Sequence, residues 1–336
     1  MTSTSSTLLL SLIVAGSVIA ADSAQAPASP VAASQAATAK PAPPKTIVQL
    51  VRDAIAENEF KKAEKLVIDD MAANGTTPIA IEAFSWLGRG FVAAKRYDEA
   101  MTYAARTYEI VEEQLKTRKL DDEARLPIAL GAAIEVTALA TAGQGRRSEA
   151  VAYLNQEIER YKNTSILMRL NKNLHVLSLE GQPALPWGAS EFLGPKPPSL
   201  AELTGKPVVL FLWAHWCGDC KTQGPLLEQV VSKYRNSGIT VIAPTQRFGY
   251  AEKQRPVGPA EELKYIESIR DQFYPWMKTV SVPVSDEVYL RYGVSTTPTY
   301  VMIDRDGKVS SYLPGQPTIG QIDAMVKKVA DVAGSR

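Results

Sequence analysis

The 336-residue chain contains only two cysteines, and just two residues separate them, in Trp213-Ala214-His215-Trp216-Cys217-Gly218-Asp219-Cys220-Lys221. An apolar, strand-like run from Pro207 to Leu212 leads into this stretch, and a helix-like segment leaves it. Cysteine used once, as a close pair, points to chemistry at sulfur more than to stapling a fold. Such a pair can serve as a dithiol–disulfide couple, as a structural bridge, or as half of a tetrahedral metal site. No further cysteine completes a sulfur site, and the histidines number only two, His175 and His215, so no dedicated metal site is expected. His175 lies on the apolar run Leu174–Leu179 and reads as a packed core residue; His215 reads as a solvent-facing loop residue.

The elements that must position the pair follow from pattern. Pro207–Trp213 is an unbroken apolar run and predicts a buried strand. A helix is expected from Cys217 to about Arg235, then a strand at Ile239–Ala243. Gly258–Gln272 carries Leu263, Ile266 and Ile269 on one helical face, and Ser285–Tyr292 predicts a short helix. Thr299–Ile303 and Val309–Leu313 flank the turn Asp304-Arg305-Asp306-Gly307, a hairpin signal. A closing helix spans Thr318–Val332, with Thr318 and Gln321 spaced as a capping box. Strand, helix, strand, helix, hairpin, helix is an α/β order.

Several motifs now converge: Leu203-x-Gly205-Lys206-Pro207-Val208-Val209, Trp213-x-x-Trp216-Cys217-x-x-Cys220-Lys221, Pro225, and Thr297-Pro298-Thr299. Together they resemble the thioredoxin fold, and within it the TlpA/ResA group of extracytoplasmic thiol–disulfide oxidoreductases. The resemblance covers about Ala184 to the C-terminus. It implies that Cys217, at a helix N-terminus where unpaired N–H groups and the dipole favour an anion, attacks as a thiolate. Cys220, one turn later and shielded, then resolves the mixed disulfide. Pro298 resembles the family's cis-proline facing the pair, and Thr297 would offer backbone groups to an extended substrate. Trp213 and Trp216 resemble the aromatics flanking the pair, with Trp216 expected to contact substrate, and Pro225 matches the family's kink in the active-site helix.

The tuning positions are Gly218, Asp219, Lys221, Gln223 and Pro225. Asp219 opposes thiolate formation at Cys217, and a higher thiol pKa goes with a more reducing couple, which tilts the expectation toward a reductase. The sequence departs from its relatives twice. Thioredoxin has a buried acid six residues before the first cysteine, where this chain has Phe211. ResA-like proteins often carry a glutamate three residues after the second cysteine, where this chain has Gln223. Both acids would accept a proton from the buried thiol, so water, Asp219 or a substrate group must do so here. Between Pro244 and Val284 the chain exceeds a minimal thioredoxin. Gln246–Pro259, with Phe248 and Tyr250, and Tyr274-Pro275-Trp276 read as an inserted loop and helix near the active face.

The rest of the chain divides by composition. Residues Leu8–Ala21 are apolar and uncharged, too short for a confident membrane span and similar to a secretory signal, although Met1–Thr7 has no Lys or Arg. Ala24-Gln25-Ala26 fits a cleavage site, with cleavage after Ala20 or Ala21 as an alternative, so residues 1–26 are read as a signal peptide, cleaved or kept as an anchor, and no later segment is expected to span a bilayer. A periplasmic or otherwise extracytoplasmic location is expected. Residues 27–45, rich in Ala and Pro, read as a disordered linker. Residues 46–180 read as an all-α, tetratricopeptide-like domain, on Trp86-Leu87-Gly88, Phe91, Tyr97, Ala100 and Tyr103. Phe60/Ala63, Tyr97/Ala100 and Arg147/Ala150 repeat one three-residue step, at irregular spacing. Residues 181–198 hold five prolines and read as a linker, with a thioredoxin-like domain at 199–336.

Net charge is +1, with 45% hydrophobic and 22% charged residues. That balance gives no electrostatic reason to expect nucleic acid as a partner. No flavin or nicotinamide fingerprint is visible, so no cofactor is expected and electrons must come from, or pass to, an upstream protein. The leading expectation is an exported oxidoreductase acting on protein thiols and disulfides. An oxidase or isomerase, or a scaffold whose helical repeats bind a partner under redox control, remain as alternatives. No Pro-x-x-x-Thr-x-x-Cys stretch supports a peroxidase.

Overall fold

The computed structural model describes residues 44–331. The expected signal peptide and nearly all of the first linker lie outside the described residues. Seven helices come first: α1 (Ile47–Ala56), α2 (Phe60–Asn74), α3 (Pro78–Ala93), α4 (Tyr97–Leu115), α5 (Leu126–Gly143), α6 (Arg147–Tyr161) and α7 (Leu167–Ser178). Local signals set their starts. Thr46 and Gln49 form a capping box on α1, and Thr77 caps α3 ahead of Pro78, whose missing N–H costs nothing at a first turn. The repeated three-residue step marks the start of every second helix: Phe60, Tyr97 and Arg147 open α2, α4 and α6, and Ala63, Ala100 and Ala150 are fully buried.

Each helix packs on its sequence neighbour, and α1, α3, α5 and α7 also pack on one another, so the hairpins stack. Small residues permit the approach. A β-carbon on Gly88 would lie 3.2 Å from Val136, and one on Gly143 would lie 2.4 Å from the Tyr97 ring. Phe60, Phe91 and Tyr103 stack at the joint, at centroid distances of 4.4 and 5.0 Å. Helix α5 corrects one expectation. It is long and apolar enough to cross a membrane, with Glu135 its only charge. Its apolar character has another cause, because most of it is buried between α3, α4, α6 and α7.

The second half adds β1 (Phe192–Leu193), β2 (Val208–Leu212), α8 (Gly218–Lys233), β3 (Thr240–Ile242), α9 (Pro259–Phe273), β4 (Val282–Pro283), α10 (Asp286–Tyr292), β5 (Thr299–Ile303), β6 (Val309–Pro314) and α11 (Ile319–Ala330). The main sheet has the order β3-β2-β5-β6, with β2 parallel to β3 and antiparallel to β5. Every residue of β2 is buried, which explains its unbroken apolar run. Val209 and Phe211 pack with residues of α8, α9 and α11, whereas Val208, Leu210 and Leu212 pack with Trp187, Tyr289 and Tyr292.

Residues 181–198 do not hang free between two bodies. β1 pairs antiparallel with β4, and the Gly181 and Ala184 amides donate to Val309 and Gly307. Trp187 is buried, with its indole N–H on the Pro198 carbonyl at 2.8 Å. Prolines bar this segment from a central strand but not from an edge, where donors are not needed.

The helical half docks directly on the sheet half through α7 and α10. Asn171 Nδ2 donates to the Leu290 carbonyl at 3.3 Å, and His175 Nε2 meets the Arg291 carbonyl at 2.8 Å. A bond to a carbonyl requires a proton on that nitrogen, and burial holds the ring's pKa below its usual value, so His175 packs as a neutral ring. Gly293 ends α10 in the left-handed region (φ +62°), pressed against the α7 backbone.

Candidate active site

Register explains why Cys217 and Thr297 meet. Leu212, the last residue of β2, pairs with Thr299, the first residue of β5. The chain leaving β2 therefore passes the chain entering β5. The Thr297–Pro298 peptide in that second chain is cis. Cys217 Sγ lies 3.5 Å from the Thr297 carbonyl oxygen.

Cys217 is the N-cap of α8, and its sulfur accepts the Cys220 backbone N–H at 3.0 Å. Cys217 and Cys220 are joined as a disulfide with their Cα atoms 5.3 Å apart. Cys220 is wholly buried and Cys217 is 3% exposed. On reduction, a sulfur at Cys217 would sit where the helix presents a free N–H and the positive end of its dipole, which favours the thiolate.

The other expected residues distribute as follows. Trp216 is exposed (49%), with its ring edge-on to Phe248 at 5.5 Å. Gly218 and Asp219 are exposed in the first turn of α8, and a β-carbon on Gly218 would meet nothing. Lys221 projects its ammonium over the Phe273 ring at 4.4 Å. Gln223 is buried and accepts the Tyr300 hydroxyl at 3.0 Å. It thus occupies the expected proton-acceptor position with a neutral amide already engaged. Pro225 lies inside α8 and leaves the Lys221 carbonyl without its helical donor. Phe211 fills the other acid position as a core ring against Tyr300, at 5.3 Å.

His215 departs from expectation. It is 1% exposed rather than solvent-facing. Its ring stands edge-on to Phe248, Tyr250 and Tyr265 at 5.2–5.3 Å, and Nε2 is 3.2 Å from Glu262 Oε1. Burial pushes its pKa down, more than the Glu262 bond raises it, and Lys221 lowers it further. Neutral His215 therefore donates from Nε2, and it adds no positive charge beside Cys217. Glu262 also accepts the amides of Phe248 and Gly249, so one carboxylate ties the inserted loop to the active-site loop. Above the pair, the Trp213 carbonyl accepts from Thr245 Oγ1 at 2.7 Å and from the Tyr289 hydroxyl.

The Redoxin family matches residues 180–326. The thiol–disulfide oxidoreductase ResA of Bacillus thuringiensis subsp. konkukian is 28% identical over 130 residues, 39% of this chain and 67% of that protein. ResA of Oceanobacillus iheyensis is 25% identical over 134 residues, covering 39% and 61%. The C-terminal half is a thioredoxin-like thiol–disulfide oxidoreductase domain, similar to the ResA proteins. Among solved structures, a putative thiol:disulfide interchange protein DsbE from Chlorobium tepidum is 24% identical, covering 45% of this chain and 97% of that one, with a TM-score of 0.34.

Glu262, Thr245 and Tyr289 escaped the sequence reading of this thioredoxin-fold domain. Glu262 stands beside Glu261 in the first turn of α9, and only the fold separates the buried acid from the exposed one. Tyr274, which the sequence places in an inserted segment, packs against Gly224, Phe211 and Trp213.

Proposed function

We propose that the protein is an exported reductase of protein disulfides, with Cys217 as the attacking thiolate and Cys220 as the resolving thiol. The observation that carries this reading is the placement of one sulfur. Cys217 Sγ caps α8, receives the Cys220 N–H at 3.0 Å and lies 3.5 Å from the Thr297 carbonyl. A substrate strand laid along Thr297 and Pro298, beside the exposed Trp216, would bring its disulfide to that sulfur.

In the cycle, the Cys217 thiolate attacks one substrate sulfur and releases the other as a thiolate. Cys220 then loses its proton to water and attacks Cys217 Sγ, which frees the reduced substrate and closes the Cys217–Cys220 disulfide. Two electrons leave the enzyme per turnover, so an upstream dithiol donor must restore the pair. Asp219, beside the cap, disfavours thiolate formation and supports the reducing direction. Export rests on the apolar run Leu8–Ala21 followed by Ala24-Gln25-Ala26. The helical half, 46–180, is assigned to partner recruitment, in a tetratricopeptide-like stack.

Two variants test the roles. Cys217→Ser should abolish reduction of insulin disulfides. Cys220→Ser should accumulate mixed disulfides with substrate proteins, released by dithiothreitol. If Cys220→Ser turned over like the wild type, or Cys217→Ser kept its activity, the assignment would be wrong.

A further inference from the structure

A groove of about 410 Å³ lies where the helical half meets the loop that carries the cis-proline. Trp86 and Arg89 of α3, Glu135 of α5, and Arg169 and Lys172 of α7 form one side. Ser295 and Thr296 form the other, and Thr296 directly precedes Thr297, the residue beside Cys217. The groove therefore opens one residue away from the position where a substrate strand would lie.

Its charge is one-sided. Arg52 and Arg89 stand over the Trp86 ring, at 4.4 and 4.6 Å from its centroid. Arg169 and Lys172 share the single carboxylate of Glu135, at 2.6 and 3.5 Å. Glu82, the other acid whose field reaches Arg89, is bonded to Arg125. Among the described residues, Arg52 and Arg89 make no ion pair. This is a local feature, since the chain as a whole carries only +1. Arg89 feels Glu135 and Glu82 only at a distance, and a half-buried guanidinium with no carboxylate in contact is favoured by an anion that supplies one.

We propose that this groove binds an acidic segment of the substrate protein, next to the disulfide being reduced. Carboxylates of that segment would pair with Arg89 and Arg52. The helical half would thereby select which disulfides reach Cys217. The inference rests on the assignment of Thr297 and Pro298 as the substrate strand's seat.

The test uses the full mature chain and two disulfide-bridged peptides of equal length. One carries Asp and Glu beside the bridge, and the other carries Ser and Asn. The wild type should show a kcat/KM roughly tenfold higher for the acidic peptide, falling as salt is raised. Arg89→Gln, and separately the exposed Arg52→Gln, should lower kcat/KM for the acidic peptide through KM and leave the neutral peptide unchanged. Arg89→Lys should retain part of the preference. Equal rates for both peptides, or a preference that survives both Gln variants, would overturn the groove's role while leaving the oxidoreductase assignment standing. Failure of the wild type to reduce either peptide would instead remove the reductase reading, and this inference with it.

Discussion

Gly293→Ala puts the docking of the two halves to a direct test. Gly293 sits at φ +62°, and a β-carbon there would lie 2.3 Å from Lys172 N, 2.7 Å from Asn171 C and 2.8 Å from Lys172 Cα. Left-handed backbone costs an L-residue about 1–2 kcal/mol by itself. All three neighbours are backbone atoms of α7, so no side chain can swing aside. To reach ordinary contact, α7 and α10 must part by roughly 1 Å. That movement stretches the His175–Arg291 and Asn171–Leu290 bonds, now 2.8 and 3.3 Å. Each contributes about 1 kcal/mol. The expected loss is therefore about 3–4 kcal/mol, within the range of the more damaging point substitutions. Urea unfolding followed by tryptophan fluorescence should show it as a lower midpoint. Exchange with a small disulfide should change little in the folded variant, because β2 and β5 set the Cys217–Thr297 contact. A loss under about 1 kcal/mol would refute the tight docking of α7 on α10.

Acid should destabilise the fold before its carboxylates titrate. Burial holds both His175 and His215 below the usual histidine pKa, so the unfolded chain binds more protons as pH falls. Stability should be full above about pH 6.5 and decline below it, by at most about 1.4 kcal/mol per pH unit for each ring. His175→Gln, which keeps a donor for Arg291, should flatten part of that slope; an unfolding midpoint constant from pH 7.5 to 5.5 would contradict the assignment. Glu262→Ala strands the amides of Phe248 and Gly249 and the His215 N–H, and should cost about 3 kcal/mol or more. Hydrogen exchange should rise across residues 246–250, and unchanged protection there would show that the carboxylate does not hold the loop. Asp219→Asn removes the repulsion between an exposed carboxylate and the Cys217 thiolate, about 0.2–1 kcal/mol for charges so exposed. The couple should become less reducing by roughly 5–20 mV, and a shift in the opposite sense would remove Asp219 from the argument on direction.

The sequence made some of this legible for a physical reason. The cysteine pair, Pro225, the Thr318–Gln321 capping box and Thr297-Pro298 are contiguous motifs whose local meaning survives any tertiary setting. The unbroken run of β2 announced a strand buried on both faces. His215 looks like a loop residue in the sequence because its partners lie far away along the chain: Glu262 is 47 residues on, and the three rings around it come from the insertion. The prolines of residues 181–198 suggest a linker because they exclude a helix, but they say nothing of edge pairing with β4. The unpaired arginines beside Trp86 are spread over α1 and α3, so no sequence window could show that they share a ring.

The central claim is that Cys217 and Cys220 form a reversible couple poised to reduce. Its most direct test is the reduction potential of the pair, obtained by equilibrating the mature protein with thiol buffers and trapping free thiols. The account predicts a midpoint of about −250 mV or lower. A midpoint of roughly −120 to −180 mV would contradict the reducing direction and place the protein with oxidases and isomerases, and a pair that showed no reversible equilibrium would contradict the claim itself.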